Sequence, residues 1–303
     1  MAAIARPRQT SGMGLATSRK LADILTYVSL LLWLAFVFSP LYWMFSMAFK
    51  SEVDVITIPP KITGFEPTLD NFLTVLNIER RGISANTGAP VTDFPGNLMN
   101  SVIIAGGGII ITVVLGVMAA YAVSRYRFHG RNVITILILF TQMIPGMTVL
   151  MPLYVLYRTV GLYNTYQGVI LAYQLYSLPF FIWLLRSHVS AIPVELEDAA
   201  RVDGCNLVQI LRHVVLPLLT PGLVSSGILV FIGMWNTFVT AMILGGPKIQ
   251  PVTVGILNYS TFENIQWGRT AAASVVCVIP EIIAGFWIQQ YIVKGLSTGS
   301  VKG

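Results

Sequence analysis

The sequence predicts an all-α, polytopic membrane protein with six transmembrane helices and one short helical element on the cytoplasmic face. Three observations predict it. Of 303 residues, 55% are hydrophobic and only 11% charged, against about a quarter charged in soluble domains, and the mean hydropathy is +0.73. Apolar runs long enough to cross a hydrocarbon core of about 30 Å recur at 24–48, 98–122, 133–156, 169–189, 218–244 and 271–293. Finally, Lys and Arg are distributed unevenly between those runs. An even number of spans puts both termini on one side, with Arg6, Arg8, Arg19, Lys20, Arg125, Arg127, Arg131, Arg186, Arg201, Arg212, Lys294 and Lys302. The other side holds Lys50, Lys61, Arg80, Arg81, Arg158, Lys248 and Arg269, spread over longer loops. The positive-inside rule then places both termini in the cytoplasm. The expected organisation is a cytoplasmic tail at 1–23, a membrane domain at 24–293 and a second cytoplasmic tail at 294–303.

The first run follows basic residues, as a signal peptide does, but it continues to Ala48 without a small-residue cleavage pattern, so it reads as a retained span. Residues 49–97 form the longest loop, which is external. Its Pro59-Pro60, Pro67, Asn86, Gly88, Pro90, Pro95 and Gly96 predict turns and extended segments, with a short helix opening at Leu69-Asp70-Asn71-Phe72. In the second span, Gly106-Gly107-Gly108 and Gly116 predict a close helix crossing. No Gly-Lys-Ser/Thr follows them, so they do not form a phosphate loop. The basic, aromatic tail from Tyr121 to Arg131 reads as an interfacial anchor. Pro40, Pro145, Pro152, Pro179 and Pro280 fall within the runs and favour bent spans, with neighbours satisfying the freed carbonyls.

Polar groups inside the runs mark candidates for a solute path: Gln142, Tyr173, Gln174, Tyr176, Asn236 and Glu281, with Thr237 beside them. Hydroxyls, amides and rings suit a polyhydroxylated solute, and interhelical hydrogen bonds use the same residue types. An ionised Glu281 in lipid would cost roughly 2–3 kcal/mol, so it is expected to face protein, water or a partner subunit. Chemistry of other kinds finds no support. Cys205 and Cys277 make neither a disulfide framework nor a metal site, and the histidines at 129, 188 and 213 are scattered. There is no Walker A motif. No metal, bound cofactor or nucleic-acid partner is expected. If transport is driven by ATP, another chain hydrolyses it.

The interval from Ala191 to Pro217 carries four of the thirteen carboxylates. Pro193 suits a first helical turn, and Glu195, Glu197 and Asp198 near that end favour the helix dipole. Leu196, Ala199 and Ala200 share an apolar stripe, and Gly204 fits a left-handed helix end. A second segment from Leu207 to Leu216 is expected to stop at Pro217. Membrane-surface helices that bind lipid are usually rich in Lys and Arg. This one is acidic, with small alanines that let another protein approach, and reads as a docking element built from Glu195, Glu197, Asp198, Ala199, Ala200, Asp203 and Gly204.

This interval resembles the EAA loop of bacterial ABC importer permeases. Their pattern is Glu-Ala-Ala, three residues, Gly, nine residues, Ile, one residue, Leu-Pro. Here it stands as Asp198-Ala199-Ala200, Gly204, Val214 and Leu216-Pro217, with Asp for Glu and Val for Ile. Met143-Ile144-Pro145, Pro152-Leu153-Tyr154, Ile192-Pro193-x-Glu195-Leu196-Glu197, Trp235-Asn236 and the tail Gly295 to Gly303 extend the likeness to the carbohydrate-type (type I) permeases, the smaller maltose-transporter permease among them. The resemblance implies a bacterial inner-membrane heterodimer with a second permease subunit, two ATPase subunits that carry ATP and Mg, and an external solute-binding protein. It makes the loop around Glu195 to Gly204 a coupling helix seated on an ATPase, and directs the tail at Gly299, Val301 and Lys302 toward the ATPase interface. A sugar is the implied solute. Glycerol phosphate or a polyol fits the same motifs, and an ion-coupled secondary transporter is a rival of another class. The sequence departs from the family's pattern at Thr237, at Glu281 and in an extra stretch over Arg80–Asp93.

Overall fold

The computed structural model describes residues 12–78, 93–260 and 265–299, with side chains described from 20 to 289. Most of the extra stretch at 80–93, together with Val301 and Lys302, lies outside the described residues. The first helix, α1 (Gly12–Ala48), runs through Pro40. Two short helices follow, α2 (Glu52–Ile56) and α3 (Asp70–Val75), the second at the place the sequence predicts. The helix α4 (Phe94–Arg125) leads to α5 (Arg131–Thr141), α6 (Gly146–Val160) and α7 (Tyr166–Ala191). The short helix α8 (Val194–Val202) follows, and α9 (Leu207–Trp235) returns across the membrane. The short segments α10 (Val239–Leu244) and α11 (Val252–Gly255) precede the last helix, α12 (Trp267–Gly299).

Five of these helices are long and apolar enough to span a membrane, namely α1, α4, α7, α9 and α12. The third expected span, 133–156, is not one rod. It is the pair α5 and α6, bent by 94° at a short break, where Pro145 has no N–H to continue the ladder. The fifth expected span, 218–244, is likewise two pieces, since α9 ends at Trp235 and α10 begins at Val239. Nor does Pro217 stop a helix. The segment 211–215 widens into a π turn in which Leu216 N–H reaches Leu211 O. The wider turn relieves the clash of the proline ring with the preceding turn, and α9 runs on.

The core is centred on α4 packed against α7, with α9 and α12 alongside. Glycines set the distances. A Cβ on Gly116 would sit 2.3 Å from Phe181 Cδ1 on α7, and one on Gly108 would sit 2.8 Å from Met234 Sδ on α9. The glycine-rich face of α4 is thus a crossing surface, as its sequence suggests. The first helix is different. Residues 20–43 of α1 are exposed throughout, and only its C-terminal end enters the core, where Asn71 of α3 donates to the carbonyls of Ala48 and Lys50 at 3.0 and 2.8 Å. Beside it the buried Lys50 lies 4.5 Å from the centre of the Trp43 ring and donates to Lys61 O at 2.6 Å.

Candidate functional site

Two constellations stand out, one around α8 and one inside the membrane domain. At α8, Pro193 immediately precedes the helix rather than sitting in its first turn. At the other end Gly204 takes φ +84°. There Cys205 N–H reaches Ala200 O and Gly204 N–H reaches Arg201 O, both at 3.0 Å, which is the doubly bonded glycine end of a helix. Asn206 and Gln209 then exchange reciprocal bonds that start α9, a capping box written in the sequence as Asn-x-x-Gln. Helix, glycine turn and helix are therefore all present.

The faces of α8 differ from the expected ones. Leu196 and Ala199 point outward, and Ala200 is buried. So is Glu197, whose side chain is 0% exposed. Its Oε1 accepts from Arg125 Nε at 2.6 Å and its Oε2 from Tyr121 O–H at 2.7 Å, while Arg125 Nη2 donates to Ile192 O at 2.7 Å. A carboxylate is buried only when paired and hydrogen-bonded, and both conditions are met within this chain. Glu197 and Ala200 are thus withdrawn from the docking face, where charge and size alone had placed them. Tyr121 and Arg125, read from sequence as interfacial anchors, are its partners. Spaced one turn apart on α4, they form a pair that an i, i+4 reading exposes. Glu195, Asp198, Ala199, Asp203 and Gly204 remain on the open face, with Val202 88% exposed and Arg201 paired to Asp198 at 2.6 Å.

Inside the membrane domain a cavity of about 190 Å³ lies between the two helix breaks. Tyr173, Tyr176, Ser177 and Phe180 of α7 line it, together with Gln142 at the α5–α6 break and Gly233, Thr237 and Thr240 at the α9–α10 break. The α7 residues stand at i, i+3, i+4 and i+7, one face of a helix. That spacing is the signal that would have added Ser177 and Phe180 to the sequence-derived candidates. The polar groups bond across the two breaks, and one of them answers the Thr237 carbonyl that the α9–α10 break sets free. Tyr173 O–H donates to Thr237 O at 3.2 Å, Tyr176 O–H to Gly146 O at 3.2 Å, and Gln142 Nε2 to Tyr176 O at 2.9 Å. Irregular backbone at membrane depth is tolerated where it is buried in protein or lines a cavity. Paired helix breaks around such a site are a transporter arrangement.

Three candidates are not brought to this cavity. Gln174 faces α4, accepting from Thr112 O–H at 2.7 Å and donating to Gly108 O at 3.2 Å, and so stitches two helices. Asn236 Nδ2 donates to Glu281 Oε1 at 2.7 Å, one turn from the Trp235 Nε1 bond to Cys277 O at 3.1 Å. Asn236 and Glu281 therefore join α9 to α12. No group of three or more metal-ligating side chains forms among the described residues.

Comparison with known proteins agrees with this architecture. The chain is 34% identical over 285 residues to the trehalose/maltose transport system permease protein MalG of Thermococcus litoralis, covering 93% of this chain and 98% of that relative. It is 37% identical over 273 residues to the trehalose transport system permease protein SugB of Mycobacterium tuberculosis, covering 87% and 92%. Among solved structures, a bacterial ABC transporter involved in the import of the acidic polysaccharide alginate superposes with a TM-score of 0.75. That match covers 94% of this chain and 99% of the other at 24% identity, and shows an ABC importer permease fold. A family model described as binding-protein-dependent transport system inner membrane component matches residues 112–298. The chain belongs to that family, the inner membrane components of binding-protein-dependent transport systems.

Proposed function

We propose that the chain is one of two permease subunits of an ATP-driven importer that carries a neutral sugar or sugar-like solute. The solute is handed over by an external binding protein, and ATP with Mg is hydrolysed on partner ATPase subunits. The chain itself is a transport subunit and not an enzyme. The observation that carries the solute class is the cavity between the two helix breaks. Among the described residues that line it none is charged, and tyrosine, serine, threonine and glutamine supply hydroxyls and an amide beside aromatic rings. Such groups exchange hydrogen bonds with a polyhydroxylated solute. A phosphate ester would enter with no cation to offset its desolvation, which argues against glycerol phosphate, whereas a polyol shares the sugar's chemistry. An ion-coupled carrier needs paired intramembrane charges, and the neighbour of Glu281 is the neutral Asn236. The relatives named for trehalose, maltose and diacetylchitobiose transport support the same class.

In this reading α8 is the ATPase contact through its open face, Glu195, Asp198, Ala199, Asp203 and Gly204. Both termini lie in the cytoplasm of a bacterial inner membrane, and the end of α12 at Gly299 leads toward the ATPase. Reconstitution of the complete transporter in proteoliposomes with its binding protein tests the whole. The expected result is ATP-dependent uptake of a neutral oligosaccharide, with no uptake by this chain alone. Uphill uptake by this chain under an ion gradient overturns the proposal.

A further inference from the structure

The cytoplasmic end of α4 and the helix α8 are held by more than surface contact. The Glu197 carboxylate is fully buried and takes Arg125 on one oxygen and Tyr121 on the other. The same guanidinium also grips Ile192 O, just before α8 begins. There are thus two points along α4, a turn apart, and two along the α8 segment, at Ile192 and Glu197. One attachment leaves a short helix free to pivot, whereas two on each partner fix direction as well as position. The link from α8 onward to α9 is of another kind: an exposed turn at Gly204 held by backbone bonds, with open space around its Cα. From the joint, α4 crosses the membrane and presents Gly116 to Phe181 and Gly108 to Met234 at distances that leave no slack. Phe181 follows Phe180, and Met234 follows Gly233, both of which line the cavity.

We propose that Glu197 is a positioning residue that, with Arg125 and Tyr121, locks α8 to α4 so that the two move as one body and displacement of α8 reaches the cavity walls through the glycine face of α4. The proposal rests on the reading of α8 as the ATPase contact. It assigns the transmission to a buried charged joint on α4, in addition to the covalent path into α9.

The test uses the complete transporter with its ATPase subunits and binding protein in proteoliposomes, and reads ATP hydrolysed per solute imported. Glu197→Gln keeps the shape and removes the charge. The expected outcome is that the ATPase still co-purifies and hydrolysis continues, while uptake falls about tenfold or more, a typical size for lost coupling between sites. In a Cys205→Ser, Cys277→Ser background, Arg125→Cys with Glu197→Cys should be similarly uncoupled, and bridging the two thiols with a short cross-linker should restore the ratio toward wild type. A merely structural role does not predict that rescue. A wild-type ratio in Glu197→Gln overturns the proposal, as does a parallel fall of uptake, hydrolysis and protein yield without rescue. Loss of the ATPase from Glu197→Gln also overturns it, placing Glu197 in the docking contact instead. Ala199→Arg on the open face separates the two readings, because it should release the ATPase. Retention of the ATPase there removes α8 as the contact, whatever Glu197→Gln does.

Discussion

The Glu197 joint and the membrane cavity are walled by neighbouring helices, yet they use polar chemistry in opposite ways. At the joint the groups are ionised, buried and saturated: Glu197 has both oxygens occupied, and Arg125 spends Nε and Nη2 on α8 and its entry. In the cavity the groups are neutral: Tyr173 reaches the Thr237 carbonyl at the α9–α10 break, and Tyr176 and Gln142 tie α7 to the two sides of the α5–α6 break. A saturated ion pair in a low-dielectric site has one acceptable geometry and resists displacement. A neutral hydroxyl on a freed carbonyl can exchange partners at little cost, because its net contribution is about 1 kcal/mol. Rigid linkage and adaptable passage are thus built from different side chains on the same few helices.

The sharpest way to break this contrast is to remove one partner from the joint. Arg125→Leu leaves the buried Glu197 carboxylate with Tyr121 and the longer, 4.0 Å approach of Arg201, and loss of one member of a buried pair costs roughly 3–5 kcal/mol. Thermal unfolding of the detergent-solubilised protein should show a large fall in midpoint. The double variant Arg125→Leu, Glu197→Leu should recover most of it, since an apolar pair of similar volume is tolerated. A midpoint for the single variant within a degree or two of wild type would show that the joint is not saturated in solution. The corresponding change at the cavity is Tyr173→Phe, which deprives Thr237 O of the tyrosine donor and leaves it Thr253 Oγ1 at 3.3 Å. The expected stability loss is only about 1 kcal/mol, with solute uptake altered more than the unfolding midpoint. The opposite ranking of the two variants would invert the assignment of rigid and adaptable regions.

Spans were legible because hydropathy sums over many residues, and the docking loop because Pro193 and Gly204 punctuate it. The breaks were less so. Met143 and Ile144 at one break and Phe238 at the other are as apolar as the helices they interrupt. Pro145 marks the first, and only Trp235-Asn236-Thr237 marks the second. Hydropathy cannot see a turn whose Thr237 carbonyl is answered by Tyr173 from another helix. Pro217 misled for a related reason: a proline forbids one hydrogen bond, and a π turn absorbs the loss. Glu197 misled because its partner lies 72 residues away. A charge reads as exposed until the fold supplies the opposite one, and nothing local to α8 announced Arg125.

A second carboxylate, on α2, extends the comparison. Glu52 on α2 is half-buried, with Oε1 out of water and without a hydrogen-bond partner among the described residues. Burial pushes its pKa up from the ordinary 4.5, against the smaller opposing pull of Arg269. It is the converse of Glu197: shielded without being satisfied. A raised folded-state pKa means that the folded form binds the proton more tightly. Its contribution to stability is therefore fully present below pH 4.5 and is lost as pH rises through the raised value. Glu52→Gln mimics the protonated acid at every pH. The variant should match wild type at the acid end and exceed it slightly near neutrality, with the gap opening as pH rises. Unfolding midpoints of both proteins between pH 4 and pH 8 check this, and a gap that is constant or closes with rising pH would mean that Arg269 outweighs burial and that Glu52 is satisfied in the manner of Glu197.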